Sequence, residues 1–144
     1  MRKISFCLMV CMVILSSCSV ERSDIGRLEG LWQLYRVDTI ATGGCCDLRQ
    51  SQLAWAFQGK LLELRSHPYS YLDFIASYSM TTDSLYIDNL RLLDREHGDP
   101  LLSDADSVRC FGVNKTNEHF RVLHFSDELF QLQSDRLVIY LRKY

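Results

Sequence analysis

Three runs near the C-terminus, Glu118–Phe125, Glu128–Gln133 and Arg136–Arg142, are separated only by Ser126-Asp127 and Ser134-Asp135. Apolar and polar residues alternate along each run with a period of two, the pattern of half-buried strands. Gaps this short join strands only in the antiparallel sense, because a parallel pair needs a crossover of roughly a dozen residues or more. The last third of the chain is therefore committed to an antiparallel meander.

The same period runs upstream. Leu31 to Val37 is a first strand, with Trp32 and Leu34 on one face and Gln33 and Tyr35 on the other. A loop from Asp38 to Gln50 carries Gly43-Gly44 and Cys45-Cys46. Gln52 to Gln58 aligns Leu53, Trp55 and Phe57 on one face, Gly59-Lys60 makes a tight hairpin, and Leu61 to Arg65 returns. His67-Pro68 breaks the pattern. Tyr69 to Met80 sets Leu72, Phe74, Ala76 and Tyr78 against Tyr71, Asp73, Ile75 and Ser77, and Ser84 to Asp88 follows a Thr82-Asp83 turn.

Residues 89–117 are irregular. Leu101 to Cys110 fits a short helix with Ser103 or Asp104 as its N-cap. Roughly eight strands, each with one apolar face and none joined by an amphipathic helix, point to an all-β, antiparallel up-and-down barrel, since closure removes exposed edges. A two-sheet sandwich is the alternative. An eight-stranded barrel either fills its interior with side chains or holds one small ligand, and the sequence leaves that choice open.

Ahead of the strands, Arg2-Lys3 precedes an apolar run from Ile4 to Leu15, followed by Ser16-Ser17-Cys18. The run is shorter than the roughly 20 residues that span a bilayer as a helix. It resembles a bacterial lipoprotein signal peptide ending in a lipobox, Leu15-Ser16-Ser17-Cys18. The resemblance implies removal of residues 1–17, acylation of Cys18 (palmitate among the chains) and attachment to the outer membrane of a cell envelope, on either face. Residues 18–29 are polar and unpatterned and read as a tether reaching at most about 40 Å. Residues 30–144 form a single domain.

Loss of Arg2 and Lys3 takes Lys+Arg from 16 to 14 against 18 Asp+Glu, a net charge of −4. That balance argues against a nucleic-acid partner, which needs clustered basic residues. A monomer is expected. In an oxidising envelope Cys45, Cys46 and Cys110 are candidates for a disulfide, with Cys45 or Cys46 bridging to Cys110 and one thiol left over. The competing reading leaves all three reduced.

Gly30-Leu31-Trp32 resembles the Gly-x-Trp signature of lipocalins. With the lipobox, Phe111-Gly112-Val113, Phe120-x-Val122 and the closing Leu129–Leu132 and Leu137–Tyr144 runs, the chain resembles the small lipocalin-like lipoproteins of Bacteroidetes. The resemblance implies that Trp32 closes one end of the barrel. It also implies a small apolar ligand inside, lined by Trp32, Trp55, Phe57, Phe74 and Phe130. The alternative is a filled barrel that contacts protein or glycan through its outer surface.

Catalytic and metal chemistry find little support. His119 and His124 are five positions apart on one strand and should point to opposite faces, so they do not make a metal site. Asp94, Asp99, Asp104 and Asp106 cluster in the irregular segment, but Asp104-Ala105-Asp106 lacks the glycine and distal glutamate of a calcium loop. Gly-x-Ser-x-Gly, His-Glu-x-x-His and phosphate-loop patterns are all missing from the sequence. No enzyme, metal or cofactor is expected.

Overall fold

A computed structural model describes residues 26–66 and 73–144. The signal segment, Cys18, tether residues 18–25, the His67-Pro68 break and the first residues of the Tyr69–Met80 run lie outside the described residues. The strands are β1 (Gly30–Thr39), β2 (Cys45–Asp47), β3 (Ala54–Gln58), β4 (Leu61–Arg65), β5 (Phe74–Met80), β6 (Ser84–Leu92), β7 (Glu118–Phe125), β8 (Leu129–Gln133) and β9 (Leu137–Lys143).

All of the pairings are antiparallel, and they follow the chain from β3 to β9. β1 pairs with β3 through Trp32↔Trp55 and with β9 through Leu34↔Leu141, closing the sheet. The result is the expected closed, eight-stranded antiparallel barrel, in which every barrel strand has two neighbours and no edge stays open. β2 stands outside it, pairing only with the upper half of β1 through Val37↔Cys46 and its flanking positions. It arises in the stretch expected to be a loop. Bulges between Leu34 and Arg36, Ile75 and Ser77, and Val122 and His124 interrupt the register, bending the strands around a small circumference.

The barrel has two distinct ends. At the proximal end lie residues 26–30 and the turns at 59–60, 81–83 and 126–128. Gly59 adopts φ +59 in the β3–β4 hairpin, as a two-residue turn of this kind requires. The expected tether extends to residue 29, yet Leu28 is fully buried. The packed unit therefore begins ahead of Gly30, because an apolar side chain beside the open barrel end gains by leaving water.

The distal end holds the long β6–β7 connection. The helix expected over 101–110 is instead a 3-10 segment, Asp106–Phe111, flanked by Ala105 without a side-chain cap. Asp104 contributes from outside it, its carboxylate accepting the Asp106 N–H at 3.0 Å. Ala105, Val108, Phe111 and Val113 are buried. With three residues per turn, the segment presents Val108 and Phe111 on one side, toward the barrel. Gly112 at φ +82 ends it, and a Cβ there would lie 2.8 Å from Ile139 Cγ2.

Candidate functional site

The barrel interior is the first place to look for a ligand. Its aromatic rings form one connected set. Trp32 lies 5.8 Å from Phe130, Phe130 6.4 Å from Phe57, Phe57 6.1 Å from Trp55, and Trp55 5.8 Å from Phe120. Phe74 meets Phe111 of the distal cap edge-on at 6.1 Å. The expected lining residues Trp32, Trp55, Phe57, Phe74 and Phe130 are thus brought together, as their alternation requires.

Their exposures are 0%, 0%, 2%, 2% and 0%. Trp32, Trp55 and Phe130 are wholly shut off from solvent, and Phe57 and Phe74 nearly so. Both indole N–H groups are also spoken for. Trp32 Nε1 donates to the Leu28 carbonyl at 2.7 Å and Trp55 Nε1 to the Phe111 carbonyl at 3.1 Å. One bond ties the barrel to its proximal closure and the other to its distal cap. The rings expected to line a ligand space pack against one another and against the two closures.

Cys45, Cys46 and Cys110 are free and exposed, so the Cys45/Cys46 to Cys110 disulfide is not formed in this structure. Pairing of β2 with β1 places Cys45 and Cys46 on the barrel's outer side, while Cys110 belongs to the cap, its thiol 4.0 Å from the Ser107 carbonyl. A hydrogen bond with Asp38 raises the Cys45 thiol pKa, and partial desolvation of its sulfur raises that of Cys110, although the residue as a whole is exposed. Both shifts disfavour the thiolate, the form a nucleophile needs.

The remaining candidates are loop and surface groups. His119 and His124 are both exposed. The bulge between Val122 and His124 resets the alternation, so the expectation of opposite faces fails. His119 stacks on Tyr86 at 4.8 Å and contacts Ser84 Oγ at 3.1 Å. His67 lies outside the described residues. The clustered aspartates organise their own backbone. Asp94 pairs with the His97 ring at 2.7 Å, Asp99 accepts the Asp94 N–H at 2.9 Å, and Asp106 pairs with Arg109 at 2.8 Å. Among the described residues, no group of three or more His, Cys, Asp or Glu side chains is placed to hold a metal ion.

The outer wall of β1 and β9 carries an arrangement the alternation did not single out. Tyr35 and Tyr140 lie 6.2 Å apart, with Arg36 over Tyr140 at 5.0 Å and Arg142 over Tyr35 at 5.8 Å. Asp38 receives both Arg36 nitrogens, at 2.7 and 2.8 Å, and the Tyr140 hydroxyl at 3.1 Å. The guanidinium holds the Asp38 carboxyl below its ordinary value. Arg142 donates to Gln33 at 2.7 Å, and Gln33 donates to the Arg49 carbonyl, which explains a glutamine 5% exposed on an outer face. The signal available in sequence was the recurrence of Tyr and Arg at outward positions of the first and last strands. Such side chains, held rigidly by one another, suit recognition of protein or glycan. Hollows of about 370–480 Å³ elsewhere on the outer surface are open to solvent.

A family model described as a lipocalin-like domain matches residues 13–144. No curated protein matches the chain. A solved lipocalin-like protein from Bacteroides uniformis superposes with a TM-score of 0.61 at 22% identity, over 83% of this chain and 100% of that one. An uncharacterised protein from Bacteroides eggerthii gives a TM-score of 0.58 at 19% identity, over 81% and 98%. At these identities the two structures speak to the fold.

Proposed function

Because the chain belongs to the lipocalin-like domain family, whose fold suits a ligand-binding barrel, we propose that it is a lipid-anchored, non-catalytic binding protein of the cell envelope. In this reading the barrel is a filled scaffold, and recognition of protein or glycan takes place on its outer wall. The observation that carries it is the interior. Trp55 is fully buried, bonded to the cap and surrounded by aromatic rings. The outer wall supplies the complement, a rigid Tyr35/Tyr140/Arg36/Arg142 surface.

The anchor rests on the Arg2-Lys3, Ile4–Leu15 and Leu15-Ser16-Ser17-Cys18 pattern. More than one acyl chain on Cys18 would hold the protein stably, at about 0.8 kcal/mol per buried methylene.

Apolar-ligand binding is the second reading, and one observation favours it. The cap is a 3-10 segment joined to the barrel wall through the Trp55–Phe111 bond. Displacing it would open an aromatic-lined interior from the distal end.

Native mass spectrometry of the protein extracted from its own envelope tests both parts. The proposal expects an acylated chain, beginning at Cys18, that carries no small apolar molecule. A co-purifying apolar ligand would establish the second reading. Cys18→Ala should move the protein from membrane to soluble fractions, and its retention with the lipid absent would remove the anchor.

A further inference from the structure

Resting on the lipid-anchor reading, we propose that the proximal rim of the barrel is a membrane-contact surface, seated in the interfacial layer of the bilayer that holds the acyl chains. The distal cap then faces away from it.

The first observation is how firmly the chain is fixed where it joins this end. Arg27 Nε donates to Asp127 at 2.7 Å, Lys143 Nζ donates to the Arg27 carbonyl at 2.8 Å, and Glu29 accepts the Gly59 N–H at 3.1 Å. Leu28 is fully buried, and its carbonyl takes the Trp32 N–H. These attachments tie residues 27–29 to three different parts of the proximal rim. Gly26 lies only eight positions after Cys18, a span of at most about 28 Å. The rim therefore stays close to the bilayer whatever path the tether takes.

The second observation is where the exposed large apolar residues stand. Of the seven among the described residues, four ring this end: Leu61 (49% exposed), Leu123 (43%), Leu129 (39%) and Tyr144 (68%). They come from β4, β7, β8 and the residue after β9, and so lie on different sides of the barrel. Singly exposed leucines are ordinary. A ring of them at the one end held near a membrane has a partner of matching chemistry. Tyrosine prefers the interfacial depth. Lys60 can keep its ammonium group at headgroup level while its stem lies along the rim. Asp83, Asp127 and Glu128 share this end, so the contact is apolar rather than electrostatic and should depend little on anionic lipid.

The test uses the full, acylated chain in phosphatidylcholine vesicles with a nitroxide quencher at headgroup depth. In a Cys45→Ser, Cys46→Ser, Cys110→Ser background, one fluorophore is placed by Leu61→Cys, Leu123→Cys or Leu129→Cys, or at the distal end by Ile40→Cys or Leu101→Cys. The proposal expects severalfold stronger quenching at the three proximal positions than at the two distal ones, unchanged by adding anionic lipid. A combined Leu61→Asp, Leu123→Asp, Leu129→Asp chain, with the label at Lys60→Cys, should stay in the vesicle pellet and lose the quenching. Protein that pellets with vesicles but shows equal, weak quenching at both ends overturns the rim contact and leaves the anchor intact. Protein absent from the pellet overturns both. Rim labels shielded only when other envelope proteins are added would mark a protein-docking face and overturn the membrane contact.

Discussion

The indole N–H of Trp55 donates to the Phe111 carbonyl at 3.1 Å, joining two residues 56 positions apart in the chain. One comes from the middle of the barrel wall, the other from the segment that caps the distal end. The bond makes cap and wall a single packed unit. Trp55→Phe keeps most of the ring but leaves the buried carbonyl without its donor, and should cost about 1–3 kcal/mol. Trp55→Ala also opens a cavity and should cost about 3–5 kcal/mol. Urea melts of the two variants beside wild type check the order. Equal, small losses would mean that the ring is not packed as described.

Gly112 separates backbone strain from close approach. Its φ of +82 disfavours any L side chain, and a Cβ would meet Ile139 Cγ2 at 2.8 Å. Gly59 has φ +59 with nothing within 4 Å of its added Cβ. Gly59→Ala should therefore cost only the backbone term, about 1–2 kcal/mol. Gly112→Ala adds overpacking against a buried isoleucine, a further 1–3 kcal/mol or so. Thermal or urea unfolding of the pair gives the comparison, and equal costs would contradict the contact with Ile139.

Glu118 gives the stability a definite pH dependence. Its side chain is 3% exposed and accepts the Asn114 N–H at 2.8 Å. Burial pushes the carboxyl above its ordinary value of 4.5, while that N–H pulls it the other way and loses. The native state therefore keeps the proton to higher pH than the unfolded chain does. This contribution is fully present below the unfolded value and is lost as pH rises through the folded one. Asp38, Asp127 and Asp135, lowered by Arg36, Arg27 and Lys115, act in the opposite direction as pH falls. Glu118→Gln keeps an acceptor for Asn114 and leaves those pairs in place. The stability difference should shift toward the variant as pH rises from the ordinary carboxyl value of 4.5 through the raised folded-state one. Urea melts across that range measure it, and a constant difference would contradict the burial of the carboxylate.

Much of the barrel was legible because burial and period coincide. Phe74, Ala76 and Tyr78 alternate inward, and the meander after residue 118 follows from its turn lengths. β2 was not, since Cys45, Cys46 and Asp47 are all exposed and a strand lying on the outside carries no alternating apolar face. The cap escaped because a 3-10 segment buries Val108 and Phe111 at a spacing that matches neither strand nor α-helix. Bulges hid the common exposure of His119 and His124, because an inserted residue reverses every facing beyond it. The rings were legible as one inward set. Whether they enclose space depends on the cap's position, which no local pattern encodes.

The filled interior proposed for the barrel is the central claim, and titration of the protein with a fluorescent fatty acid tests it most directly. The account predicts no saturable binding by wild type, and a Trp55→Ala variant that loses several kcal/mol of stability, about 3–5 by its volume change. Saturable one-to-one binding by wild type, weakened in Trp55→Ala with little loss of stability, would contradict it.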